Sequence, residues 1–127
     1  MANNIIITGA NQGIGYYMVK KLLADGNKVS VLDIETENLA NLKKQYSCLI
    51  FHKVDLRNYD EIKVAVDETV AEFGVIDIAV HNACKCTFES ESETDLDTYK
   101  DVFDVNYFGA LGLVKCVIPY MSVQKKG

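Results

Sequence analysis

Three glycines, Gly9, Gly13 and Gly15, stand in the stretch ITGANQGIGYY (residues 7–17), directly after the apolar run Ile5-Ile6-Ile7. Glycine at a turn takes positive φ, glycine without a Cβ lets a phosphate reach the chain, and glycine at a helix start allows close packing on a strand. An anion would then lie over the unpaired N–H groups at the positive end of the following helix. Thr8, Asn11, Gln12 and Ile14 complete the loop. Eighteen positions after Gly15, Asp33 closes a second apolar run. A carboxylate there accepts hydrogen bonds from both hydroxyls of an adenosine ribose and repels a 2′-phosphate. Neither Gln12 nor Ile34 brings the cation that a 2′-phosphate needs. The expected ligand is a dinucleotide, NAD in preference to NADP. The spacing Gly-x-x-x-Gly-x-Gly departs from Gly-x-Gly-x-x-Gly, so the expectation leans on the order strand, glycines, helix, aspartate. The alternative is that the glycines make only a tight turn and Asp33 merely ends a strand.

The elements that would position these residues follow from periodicity. Asn4 to Thr8 reads as a strand, and Tyr17, Met18, Leu22 and Leu23 recur at helical spacing up to a stop at Gly26. Lys28 to Asp33 alternates as a second strand, and Glu35 to Tyr46 carries Leu39, Leu42 and Tyr46 on one helical face. Cys48 to Val54 is a third strand. Tyr59 to Phe73 is a third helix through Ile62, Ala65, Val66, Thr69 and Val70, closed by Gly74. Ile76 to Val80 is a fourth strand, and Leu96 to Met121 is one long helical segment ending near Pro119. Strands alternating with helices predict an α/β fold, a Rossmann-like doubly wound parallel sheet. Right-handed crossovers predict the spatial order 3-2-1-4, a half-fold of about four strands in a single domain, residues 1–127.

Composition narrows the function classes. At 49% hydrophobic and 24% charged, the 127 residues are those of a globular chain, and no apolar run is read as approaching a membrane span. MANNIIITGAN lacks the basic start and small-residue cleavage site of a signal peptide, so a cytoplasmic protein is expected. A net charge of -5, with no basic cluster beyond Lys125-Lys126, argues against nucleic acid. His81, Cys84 and Cys86 lie within six residues, but no second Cys-x-x-Cys knuckle accompanies them. No metal site is expected, and Cys48, Cys84, Cys86 and Cys116 read as free thiols. The acidic run Glu89 to Asp97 reads as a solvated loop leading into a helix N-terminus.

Thr8-Gly-Ala-x-x-x-Gly-Ile-Gly15 resembles the cofactor loop of the short-chain dehydrogenase/reductase family, and further stations recur in order from residue 4 to residue 121. Val54-Asp55-Leu56 resembles the family's aspartate that meets the adenine amino group, although Asp55 could instead cap the next helix. Val80-His-Asn-Ala-Cys84 resembles the Asn-Asn-Ala-Gly that supports the central sheet and the ribose, which implicates Asn82, Ala83 and Cys84. His81 replaces its first Asn and would disturb one hydrogen-bond partner; a packed histidine is the plainer reading. Cys84 replaces its Gly, and a side chain there would crowd the nicotinamide ribose or strain a backbone that used positive φ. Asn106, in Phe103-Asp-Val-Asn-Tyr-Phe-Gly109, resembles the asparagine of the catalytic tetrad; otherwise it is a helix residue at a local bend. The resemblance implies an NAD(P)-dependent oxidoreductase whose hydride transfer needs a Ser and a Tyr-x-x-x-Lys. No Tyr-x-x-x-Lys follows Asn106, the Ser belongs after a fifth strand that these residues do not include, and Lys125-Lys126-Gly127 resembles the bridge into that strand. A truncated cofactor-binding half, unable to catalyse, is therefore expected. The alternative is a non-catalytic interaction module that associates with itself or with a full-length relative. It would use the exposed fourth-strand edge and the last helix, where Leu111, Leu113, Val114, Val117 and Ile118 lack neighbours.

Overall fold

The computed structural model describes residues 2–127. Four strands, β1 (Asn4–Thr8), β2 (Lys28–Asp33), β3 (Leu49–Lys53) and β4 (Ile78–His81), form one parallel sheet in the order β3-β2-β1-β4. β1 lies in the interior of the sheet, and its middle residues Ile5, Ile6 and Ile7 are all buried, as in a strand covered on both faces. The helices α1 (Gly13–Ala24), α2 (Glu37–Lys43) and α3 (Tyr59–Phe73) alternate with the strands, each crossover returning the chain to a parallel neighbour.

Strand alternation divides the core into two layers. Ile7, Val29 and Val31 face Val19 and Leu23 of α1 and Leu39 and Leu42 of α2. Ile6 and Leu32 face Ile62, Ala65 and Val66 of α3, together with Leu113, Cys116 and Val117 near the C-terminus. Ser30 is the polar exception on the second face. Its hydroxyl lies 2.6 Å from that of Thr69, which donates to the Ala65 carbonyl at 2.7 Å, so Ser30 is the donor to Thr69 and the buried pair is satisfied.

Several boundaries and faces differ from expectation. α2 begins two residues later than Glu35, whose N–H turns back to Asp33 Oδ1 at 3.0 Å, and it ends at Lys43. β4 is Ile78–His81 rather than 76–80, since Ile76 is buried in the core ahead of the strand. Tyr17 points to solvent, and the buried stripe of α1 is Gly15, Val19 and Leu23. The C-terminal helical run continues through Pro119 to Gln124: α4 (Leu96–Phe103), a π-helical turn (Asp104–Phe108) and α5 (Gly109–Gln124). Pro119 is tolerated because it and Lys115, whose carbonyl would have received its N–H, lie on the exposed side. Lys125, in the left-handed conformation with φ 55°, stops the helix instead. This 29-residue run is long and apolar enough to meet the length and composition of a membrane span, contrary to the sequence expectation. Here it packs on α3 and β4 through Gly109, Gly112, Leu113, Cys116 and Val117.

Leu113 and Val117 thus belong to the core, whereas Leu111, Val114 and Ile118 stay exposed. Leu113→Ala is expected to cost about 2–5 kcal/mol in urea unfolding and Leu111→Ala less than about 1 kcal/mol.

Candidate functional site

The sheet order places a reversal of winding between β1 and β4, and the carboxyl ends of these strands open into a crevice. The glycine loop crosses that crevice. Gly9, with φ +68°, donates its N–H to the Leu32 carbonyl at 2.9 Å, and a Cβ on Gly9 would overlap the backbone of Ala83. A Cβ on Gly15 would stand 2.5 Å from both Asn82 Nδ2 and the Gly9 carbonyl oxygen. Gly13, with φ +62°, faces open space, so its requirement is conformational rather than steric. No side chain caps the start of α1 and no acid occupies its first turn, whereas Asn58 and Asp95 cap α3 and α4. The amides at that terminus are left for an anion from outside.

Thr8 is fully buried and ties the loop to β4. Its Oγ1 accepts the N–H groups of Asn82 and Ala83, each at 3.2 Å, and lies 3.1 Å from His81 Nδ1. Asn82 Nδ2 in turn donates to the Gly9 carbonyl at 2.7 Å. His81 thus has a hydrogen-bond partner at the strand end, the Thr8 hydroxyl of the neighbouring strand. Asp33 fastens the loop on its other flank: Oδ2 accepts from Asn11 N at 2.8 Å and Oδ1 from Glu35 N at 3.0 Å. Each carboxylate oxygen retains a lone pair for a further donor.

Between these anchors lies a cleft of about 390 Å³. Gly9, Gln12, Asp33, Ile34, Asp55 and Leu56 line it, and Ala83 and Cys84 close it toward β4. Other expected residues play a different part. Asn11 is buried and its Oδ1 accepts from Asn38 N at 3.0 Å and Leu39 N at 3.3 Å, so its side chain fastens the loop to α2. Thr8 and Asn82 shape the loop from behind, and the Ile14 side chain projects into solvent. Cys84 is exposed on the cleft wall in ordinary backbone: among the described residues Lys125 is the one non-glycine with positive φ, so the feared strain is absent. All four cysteines are free.

Glu35, Arg57, Lys85 and Val105 also line the cleft and went unrecognised in the sequence. Arg57 and Lys85 stand within two residues of Asp55 and Cys84, which is the signal that could have found them. Arg57 Nε and Nη2 donate to Asp55 at 2.9 and 2.7 Å, Nη1 donates to Asp101 at 2.5 Å, and Lys85 Nζ pairs with Asp101. The Arg57 hydrogen bonds hold the Asp55 carboxyl below the usual carboxylate range. Asn106 lies in the π turn, where Oδ1 accepts Lys85 N at 2.7 Å and Nδ2 donates to the Lys85 carbonyl at 2.7 Å. Its amide therefore clamps the strand-to-helix loop.

Sheet order, crevice and glycine loop define a Rossmann-like domain of the doubly wound α/β class. The chain belongs to the short chain dehydrogenase family, whose model matches residues 3–127, and the family binds nicotinamide cofactors. It is 30% identical over 131 residues to Dehydrogenase/reductase SDR family member 7 of Mus musculus, covering 95% of this chain and 38% of that relative. It is 33% identical over 127 residues to the cis-2,3-dihydrobiphenyl-2,3-diol dehydrogenase of Paraburkholderia xenovorans, covering 95% of this chain and 46% of the relative. The structure of a 3-oxoacyl-reductase from Bacillus thuringiensis, assigned there as putative, superposes with a TM-score of 0.90 at 27% identity. That superposition covers all of this chain and 55% of the other. The chain thus spans about half or less of the length of the proteins it matches.

Removing the Thr8 hydroxyl leaves the half-buried amides of Asn82 and Ala83 without their acceptor. Thr8→Val is expected to cost about 1–3 kcal/mol in denaturant unfolding, and Thr8→Ser to recover most of it.

Proposed function

We propose that this chain is the NAD-binding half of a short-chain dehydrogenase/reductase-type oxidoreductase and that these 127 residues alone carry out no hydride transfer. The observation that carries the reading is the Asp33 carboxylate, held by Asn11 N and Glu35 N at the mouth of the glycine loop. Its orientation suits a ribose 2′,3′-diol and opposes a 2′-phosphate. The pyrophosphate fits over the uncapped start of α1 between Gly9 and Gln12, and the adenine fits between Ile34 and Leu56 near Asp55. Ala83 and Cys84 flank the far end, where the nicotinamide ribose would lie. NAD bound there would supply a hydride acceptor. Of the family's catalytic groups only Asn106 is present, and its side chain is committed to the Lys85 backbone. Cytoplasmic placement accords with this reading.

Titration calorimetry with NAD and NADP tests the cofactor. NAD is expected to saturate the chain at submillimolar to millimolar concentration, with NADP weaker; Asp33→Asn should lower the NAD-to-NADP affinity ratio about tenfold. An absence of saturation by millimolar NAD would overturn the reading. NADH formed from NAD and an alcohol panel by the purified chain would overturn the catalytic half of it.

A second reading is favoured by one surface. Phe103, Tyr107, Leu111, Val114 and Ile118 are exposed at three- and four-residue spacing along α4, the π turn and α5, and β4 is an open edge with Ile78 exposed. Such surfaces attract a partner. The occupant we propose is a second copy of this chain. Sedimentation velocity at micromolar concentration should show a dimer or larger species that Ile118→Glu dissociates; a wild-type monomer throughout would exclude it.

A further inference from the structure

The Thr8 hydroxyl has one proton and two lone pairs, and both lone pairs are taken by the N–H groups of Asn82 and Ala83. The third contact, to His81 Nδ1 at 3.1 Å, must then be a hydrogen bond that Thr8 donates. Nδ1 is an acceptor and carries no proton, which places the proton of the neutral ring on Nε2. That nitrogen is sealed from solvent and makes no hydrogen bond of ordinary geometry among the described residues, and the Asn106 backbone is the one other group that favours a proton on the ring. We propose that His81 is a proton-controlled positioning residue: the neutral Nε2–H ring latches the cofactor loop to the end of β4, and a protonated ring releases it.

The release follows from counting donors. A protonated imidazole presents N–H at both nitrogens, so Nδ1 faces an oxygen whose lone pairs are already occupied. Three N–H groups then compete for two lone pairs, and the Thr8 O–H loses its acceptor. The loss reaches the cleft directly. Asn82 holds the Gly9 carbonyl, and Ala83 lies against Gly9 so closely that no Cβ fits between them.

The surroundings favour the neutral ring. On β1 it faces Thr8, and the π turn presents the Asn106 backbone; among the described residues no charged side chain acts on it. Burial pushes its pKa below the ordinary 6.5, opposed by the Asn106 backbone alone. The unfolded chain therefore takes up this proton at higher pH than the native one does. The latch contributes fully above the ordinary histidine value and is lost as pH falls through the lower native one.

The consequence for nucleotide rests on the proposed NAD site; the hydrogen bonding does not. Nitrogen-15 spectra of the ring in the nucleotide-free chain should show Nδ1 unprotonated and Nε2 protonated at neutral pH. The Asn82 and Ala83 amide signals should shift with the His81 titration below about pH 6.5. Asn Oδ1 occupies the place along the side chain that His Nδ1 does and accepts the same bond without titrating. His81→Asn should therefore keep the fold and abolish that amide titration. His52, the other histidine, is common to both proteins. Between about pH 7.5 and about pH 5 the NAD dissociation constant should rise about tenfold more in the wild type than in His81→Asn. A neutral ring protonated at Nδ1, or amide titrations identical in the two proteins, would overturn the latch. If NAD fails to bind at any pH, the functional reading falls while the ring and amide signals still decide the latch.

Discussion

At the carboxyl ends of β1 and β4 one buried hydroxyl, that of Thr8, meets two backbone amides and an imidazole. The rest of the site is arranged around that contact. Parallel strands present unpaired backbone groups where they end, and here the amides of Asn82 and Ala83 would be left without acceptors if the hydroxyl were absent. The bond draws Ala83 against Gly9, and the resulting proximity is why position 9 has no room for a Cβ. Gly15 is constrained through the same junction, since Asn82 Nδ2 and the Gly9 carbonyl occupy the space beside it. Two of the three loop glycines are thus required by packing and the third by its φ.

A second set of contacts shapes the opposite wall. Asp55, Arg57, Asp101 and Lys85 form a chain of alternating charge that joins the loop after β3 to α4 and to the loop after β4. All four side chains remain partly exposed, so each pair contributes on the order of 0–1 kcal/mol. The chain matters for position more than for stability: it fixes where a cation and an anion stand at the rim of the cleft. Asn106 adds a neutral clamp from the π turn to the Lys85 backbone.

Much of the architecture was legible because it rests on local periodicity. The four strands, their order, the α3 boundaries and the loop glycines all agree with patterns of apolar spacing and chain connection. The errors lie where tertiary contact overrides local pattern. Tyr17 has helical spacing but points outward, because Gly15 brings the opposite stripe of α1 onto the sheet. Pro119 stays helical because the carbonyl it deprives faces solvent. The side chain of Asn11, a loop residue by its place in the sequence, serves the start of α2, 27 residues on.

Sequence alone determined the fold class, the strand order, the family resemblance and the position of Asp33 at a strand end. These depend on residue type and on separations along the chain. Which loop residues face the cleft, what Asp55 and Asn106 bind, and which proton His81 carries were decided only by tertiary structure. Each depends on groups brought together from distant segments, such as Thr8 with His81 or Arg57 with Asp101. No periodicity records a hydrogen bond made across 73 residues, because its partners share nothing but a place in the folded sheet.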